Sequence, residues 1–220
     1  MQTASNAKRT RLLSILRQSP IVAVITIDHA EDGVPLARAL VAGGVTALEL
    51  TLRTPAGLAA AAAILQEVPE AVVGIGTILT PDDVAKVDRS GAHFAVSPGI
   101  TTALLDAAAQ SGLPFMPGIQ SASELMEATG RGFDIVKLFP AAALGKAAIQ
   151  GLGGPFPEVS FCPTGGIGED NVMEWLSLPN VVAVGGSWMA SRHDIRARNW
   201  PAITERARRV TDKMRAGQQG

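Results

Sequence analysis

A single lysine, Lys137, interrupts the apolar run Ile135-Val136-Lys137-Leu138-Phe139-Pro140, and a single glutamate, Glu49, stands between Leu48 and Leu50. Burial disfavours the charged form of an amine. An uncharged amine attacks a ketone to give a Schiff base, whose iminium draws electrons from the neighbouring carbon. A carboxyl group in similar surroundings is suited to shuttle the protons that such a reaction moves. Plainer roles fit the same residues. A lysine stem can pack while its ammonium reaches the rim, and a buried glutamate can be an ion-pair partner for Lys137 or Arg53. These roles are compatible, because a pair that fixes the amine can also pass protons.

Around these two stand residues suited to holding an anionic substrate. Arg53 follows four residues after Glu49, and a guanidinium grips a carboxylate through two parallel hydrogen bonds where an ammonium cannot. Thr77, in Gly74-Ile75-Gly76-Thr77, offers a hydroxyl and a backbone N–H for the same task. Their commoner fates are a surface arginine at a helix start and a turn or capping hydroxyl. Gly74-x-Gly76 lacks the third glycine of a dinucleotide fingerprint. Thr164-Gly165-Gly166 and Gly185-Gly186-Ser187 are glycine pairs of the kind whose N–H groups approach an anion closely. One pair alone reads as a tight turn; two, each after a late strand, point to phosphate. Pro98 and Phe139 read as pocket walls. Cys162 reads as a small core residue and Trp175 and Trp188 as core or interface aromatics. His29, His93 and His193 receive no role.

The elements that must position these groups follow a repeated pattern. Short apolar runs at 21–26, 47–51, 72–76, 94–97, 115–117, 135–139, 159–163 and 181–184 alternate with segments of helical spacing at 34–42, 58–67, 82–89, 102–110, 122–128, 171–178 and 202–214. Strands apolar throughout belong to a parallel sheet covered on both faces. Thr54-Pro55, Thr80-Pro81-Asp82-Asp83 and Ser121-Ala122-Ser123-Glu124 read as helix starts. Gly43-Gly44, Gly91, Gly112, Gly130 and Gly132 read as helix ends, where left-handed backbone is common. Residues 5–18 form an additional N-terminal helix and 216–220 a frayed tail. Eight β-then-α units without a break predict an α/β fold, a single (β/α)8 TIM barrel: N-terminal helix 1–19, barrel core 20–190, C-terminal helix and tail 191–220. An open doubly wound sheet has the same periodicity and stays as the alternative. In a barrel of this kind the active site lies at the C-terminal strand ends, where Glu49, Arg53, Thr77, Pro98, Lys137, Thr164 and Ser187 all fall.

Composition narrows the function. A formal net charge of −1 over 220 residues provides no global pull toward nucleic acid or anionic membrane. One cysteine excludes an intrachain disulfide framework and a cysteine-based zinc site. No apolar stretch approaches the roughly 18 residues that a membrane span needs. A reducing cytoplasm is the expected compartment.

At Glu49-Leu50-Thr51-Leu52-Arg53-Thr54, Gly74-Ile75-Gly76-Thr77, Val136-Lys137-Leu138-Phe139-Pro140-Ala141, Phe161-Cys162-Pro163-Thr164-Gly165-Gly166 and Gly185-Gly186-Ser187-Trp188 the chain resembles the 2-keto-3-deoxy-6-phosphogluconate (KDPG) aldolase and 4-hydroxy-2-oxoglutarate (KHG) aldolase family. The resemblance implies a class I aldolase with Lys137 as the Schiff-base lysine and Glu49 as general acid/base. Arg53 and Thr77 would hold the pyruvate-end carboxylate. Gly165, Gly166 and Ser187 would bind phosphate, with Thr164 lining the pocket. It further implies a small-molecule 2-keto acid substrate, no metal, no organic cofactor, a homotrimer, and a place in the Entner–Doudoroff pathway. Two departures bear on substrate preference: Ala142 stands where the family commonly has an acid, and Thr26 where many members have an arginine. Two other readings fit the residues: a phosphosugar isomerase with Glu49 as base and Lys137 purely electrostatic, and a non-enzymatic protein that binds a phosphorylated metabolite.

Overall fold

The computed structural model describes residues 2–217, with side chains from residue 6 onward. Among these residues nine short strands carry the frame: β1 (Ile21–Ile25), β2 (Ala47–Thr51), β3 (Val72–Gly76), β4 (Phe94–Val96), β5 (Phe115–Met116), β6 (Gly118–Ile119), β7 (Ile135–Leu138), β8 (Ser160–Pro163) and β9 (Val184–Gly186). Among the described residues eleven α-helices surround them: α1 (Gln2–Gln18), α2 (Gly33–Ala42), α3 (Ala56–Glu67), α4 (Pro81–Asp88), α5 (Thr102–Gln110), α6 (Ala122–Thr129), α7 (Ala141–Leu144), α8 (Lys146–Gly153), α9 (Val172–Leu176), α10 (Arg192–Arg196) and α11 (Trp200–Gly217). All strand pairs are parallel, as the uniformly apolar runs require.

The strands form a six-stranded sheet, β5-β4-β3-β2-β1-β9, and a three-stranded sheet, β6-β7-β8. This differs from the eight even strands expected. The fifth run splits at Pro117, which has no N–H to give to a ladder, although its carbonyl still accepts from Lys137 N at 2.9 Å. The eighth run shifts later: β9 begins at Val184, and its segment meets β8 only through the isolated bridges Phe161↔Val181 and Thr164↔Gly185.

Alternation sorts the strand residues onto two faces. Ile21, Ala23, Ile25, Leu48, Leu50, Val73, Ile75, Val136, Leu138 and Phe161 pack outward under the helices. Val22, Ala47, Phe94, Val96, Met116, Ile135, Cys162 and Ala183 pack together on the inner face. That inner cluster draws on both sheets, so the two enclose one interior. Leu12 and Leu16 of α1 join it, closing the interior at the N-terminal ends of the strands. Lys8 fixes α1 by donating to the carbonyls of Ala109 and Ser111 at 3.0 and 2.8 Å, and Arg9 pairs with Asp134.

Local signals at helix ends resolve unevenly. Thr80 with Asp83, and Ser121 with Glu124, form complete capping boxes. Thr54 does not cap α3; its hydroxyl donates to the Ile27 carbonyl instead. Gly44, Gly91 and Gly132 adopt left-handed φ, whereas Gly130 keeps right-handed helical backbone. α7 and α8 were absent from the expected elements. The C-terminal helix runs on through Gly217, three residues past its expected end at 214, so 216 and 217 are helical; the remainder of the expected tail, 218–220, lies outside the described residues. Among the described residues no helix is long and apolar enough to cross a membrane.

Candidate active site

The register of the sheets sets a belt of inward-facing residues at one height. Val24 pairs with Glu49, Glu49 with Gly74, Gly118 with Lys137, and Lys137 with Cys162. Across the interior, Lys137 Nζ of the smaller sheet lies 3.2 Å from Glu49 Oε1 of the larger. Their side chains are 4% and 2% exposed, so burial alone would leave each ion without a partner, and each is the other's. The Phe139 ring stands 5.3 Å from Nζ.

Glycines make room for this pair. A Cβ at Gly76 would overlap Glu49 Oε1, and one at Gly74 would overlap the Phe94 ring. The backbone of Pro98 and Gly99 presses on Gly118 in the same way, which brings the half-buried Pro98 loop beside the strand position that pairs with Lys137. Buried Ser97 accepts from Gly118 N at 3.3 Å. Cys162 completes the belt. Burial pushes its thiol up to about 12, so it stays protonated as a small neutral neighbour of the pair.

One step toward the mouth, Thr51 is buried and donates its hydroxyl to the Ile25 carbonyl at 2.9 Å; Thr26 Oγ1 lies 3.1 Å from Thr51 Oγ1. Arg53 is exposed beyond the end of β2, and among the described residues no acid lies within 4.0 Å of its guanidinium. Its charge is therefore available to a ligand. Thr77 follows β3 half-buried with φ +64, a left-handed backbone uncommon for a β-branched residue and the kind of strain that binding sites hold.

The β8 end supplies the glycine turn. Gly165 and Gly166 are both left-handed, at φ +95 and +73. A Cβ at Gly165 would press on the Phe139 ring, and one at Gly166 would overlap Ala142 Cβ. Ala141 N donates to Thr164 O at 2.8 Å and Ala142 N to Gly165 O at 3.0 Å, so the segment after Pro140 is laced to this turn. Thr164 Oγ1 fills the space over Gly185. Gly186 faces outward onto the Trp188 ring, which confines any part it takes to its backbone, and Ser187 is exposed just beyond it.

The sequence-derived residues thus separate into a buried pair, Lys137 and Glu49, and a rim of Arg53, Thr77, Pro98, Phe139, Thr164, Gly165, Gly166, Gly185 and Ser187. Sequence reasoning placed Gly76, Ser97 and Thr51 at strand ends but gave them no role, and it missed the Thr26–Thr51 hydroxyl contact; inward phase on β1 and β2 was the signal for the threonines. It also missed Asp28, just after β1, whose carboxyl is held well below the usual carboxylate range by hydrogen bonds from Arg192 and then Arg196 of α10. Among the described residues no group of three or more His, Cys, Asp or Glu is placed to hold a metal ion.

A model of the family described as KDPG and KHG aldolase matches residues 12–206. The 2-dehydro-3-deoxy-phosphogluconate aldolase of Pseudoalteromonas atlantica is 48% identical over 197 residues, 89% of this chain and 92% of that one. The KHG/KDPG aldolase of Escherichia coli K12 is 46% identical over 205 residues, 93% of this chain and 96% of that one. Among solved structures, the KDPG aldolase of Legionella pneumophila, with pyruvate captured at low pH as a covalent carbinolamine intermediate, superposes with a TM-score of 0.87 at 45% identity, covering 90% of this chain and 97% of that one.

Proposed function

The chain belongs to the KDPG and KHG aldolase family, and from that premise we propose that it cleaves KDPG to pyruvate and glyceraldehyde 3-phosphate through a Schiff base on Lys137. 4-Hydroxy-2-oxoglutarate would be cleaved to pyruvate and glyoxylate by the same steps. The observation that carries this reading is the buried Lys137–Glu49 contact at 3.2 Å. Family membership makes the chain a carbon–carbon lyase and sets aside the isomerase and the non-enzymatic binding protein.

Glu49 takes a proton from the Lys137 ammonium, and the free amine adds to the C2 ketone as a carbinolamine. Glu49 returns the proton to the departing hydroxyl, water leaves, and an iminium forms. Glu49, directly or through one water, then accepts the C4 hydroxyl proton. The C3–C4 bond breaks, its electrons neutralise the iminium, and the aldehyde leaves. The enamine is protonated at C3, and water releases pyruvate and the amine. The carbinolamine in the Legionella pneumophila relative supports this course.

Arg53 and Thr77 hold the C1 carboxylate in this reading. Gly165 and Gly166, with Ser187 and the backbone of Gly185 and Gly186, hold the phosphate; Thr164, Pro98 and Phe139 wall the pocket. Phosphate binding energy then positions the reacting carbons. The two sheets are read as one (β/α)8 barrel forming a single domain, supported by their shared inner cluster and the β8–β9 bridges. A cytoplasmic homotrimer needing no cofactor is proposed on the resemblance. Borohydride reduction in the presence of pyruvate, followed by peptide mass mapping, tests the covalent step: reduced pyruvate is expected on Lys137, and an unmodified Lys137 would overturn it.

A further inference from the structure

The hydroxyl contact at the end of β1 has a fixed direction. Thr51 has one hydroxyl proton, and it goes to the Ile25 carbonyl at 2.9 Å. The 3.1 Å contact between the two threonine oxygens must therefore be a donation from Thr26 to Thr51. Thr26 has then spent its own proton, and its oxygen keeps only lone pairs for a further partner. Thr51 is 1% exposed and walled in, whereas Thr26 is half-buried and reachable.

Its place in the fold says what that partner is. Thr26 lies two residues past Val24, the strand partner of Glu49, and so shares the inward phase one pleat nearer the mouth. In the sheet order β2-β1-β9, it sits between the strand bearing Glu49 and the strand leading to Ser187. On a substrate lying between those strands, the carbon between the C4 hydroxyl and the phosphorylated C6 is C5. The C4 hydroxyl surrenders its proton in the cleavage, but the C5 hydroxyl keeps its proton and can donate it throughout.

We propose that Thr26 is a specificity-determining residue, whose oxygen accepts a hydrogen bond from the C5 hydroxyl of the phosphorylated sugar acid. The inference rests on the aldolase reading above and deepens it. The test compares KDPG cleavage with exchange of the methyl hydrogens of pyruvate for deuterium, followed by proton NMR. Exchange uses Lys137 and Glu49, but pyruvate has no C5. For Thr26→Val, kcat/KM for cleavage falls about 3- to 10-fold, the range of one neutral hydrogen bond, while exchange stays within about twofold. Thr26→Ser, which keeps the hydroxyl, restores cleavage. Undiminished cleavage by Thr26→Val would overturn the proposal. So would a parallel loss of exchange, which would mark Thr26 as merely holding β2 in place. A wild-type protein without exchange would overturn the aldolase reading and this inference with it, an outcome readable before any variant is made.

Discussion

At the scale of single residues, the proposed chemistry depends on room left for a carboxylate. Glu49→Gln keeps the side chain's shape but removes its capacity to take a proton. It is expected to lower kcat for KDPG cleavage by about 10²- to 10⁴-fold; full activity in a coupled pyruvate assay would dismiss Glu49 as the acid/base. Gly76→Ala attacks the same group from outside, because the new methyl would overlap Glu49 Oε1. The expected result is a loss of kcat out of proportion to the ~1–3 kcal/mol that overpacking costs in stability, measured by urea unfolding beside the assay. Ser187→Ala is expected to lower kcat/KM by about tenfold or more on KDPG, since a bond to a charged group is the stronger kind. It should leave 4-hydroxy-2-oxoglutarate little affected; equal losses on both substrates would remove Ser187 from the phosphate site. Lys137 and Glu49 were legible because a charged side chain in an apolar strand is a deviation that asks for a reason. Gly76 and the Thr26–Thr51 contact were not, because their significance lies in which atoms meet between strands some 25 residues apart in sequence.

At the scale of elements, what the chain spells locally was readable and what neighbours impose was not. The capping boxes at Thr80 and Ser121 need only four consecutive residues, and both formed. Thr54 has the same local look, but Ile27 from another segment claims its hydroxyl. The helices α7 and α8 escaped notice because four residues, Ala141–Leu144, carry no apolar period, and Gly145 at φ +76 ends one and begins the next. His93 shows an element joint with a pH dependence. Its N–H donates to the Val73 carbonyl at 2.7 Å, and its Nδ1 accepts from Val73 N–H at 2.9 Å, tying the start of β4 to β3. Burial, and then the charge of Arg11, hold its imidazole below the ordinary value. The folded state thus favours the neutral ring. Its contribution to stability is complete above the ordinary imidazole value and is lost as pH falls through the folded one. His93→Asn presents a carbonyl oxygen in place of Nδ1 and does not titrate. The urea midpoint of the wild type should therefore decline more steeply from pH 7 to pH 5 than that of the variant; parallel declines would mean that His93 does not contribute to the pH dependence.

At the scale of the whole molecule, the two ends of the interior do different work. The run of apolar strands implied a parallel α/β fold, but no local pattern says where its strands divide into two sheets. That depends on Pro117 interrupting one ladder and on two isolated bridges standing in for another. The N-terminal helix was visible in the sequence, yet its purpose was not, because Leu12 and Leu16 acquire meaning only against Val22, Ile135 and Cys162 on the inner face. They seal the end opposite the mouth. In the barrel reading proposed above, chemistry belongs at the C-terminal strand ends and the other end is left to stability. Leu16 has no exposed surface, so Leu16→Ala leaves a cavity under the belt and should cost about 2–5 kcal/mol in urea unfolding. At a temperature where the variant is still folded, kcat/KM for KDPG should stay within about twofold of wild type, since the groups that touch substrate stand in the belt and beyond it, on the side away from Leu16. If activity instead drops with stability, the seal and the Lys137–Glu49 pair are coupled through Phe94 and Cys162, the inner-face residues between them, and α1 would have to be counted among the elements that position the amine.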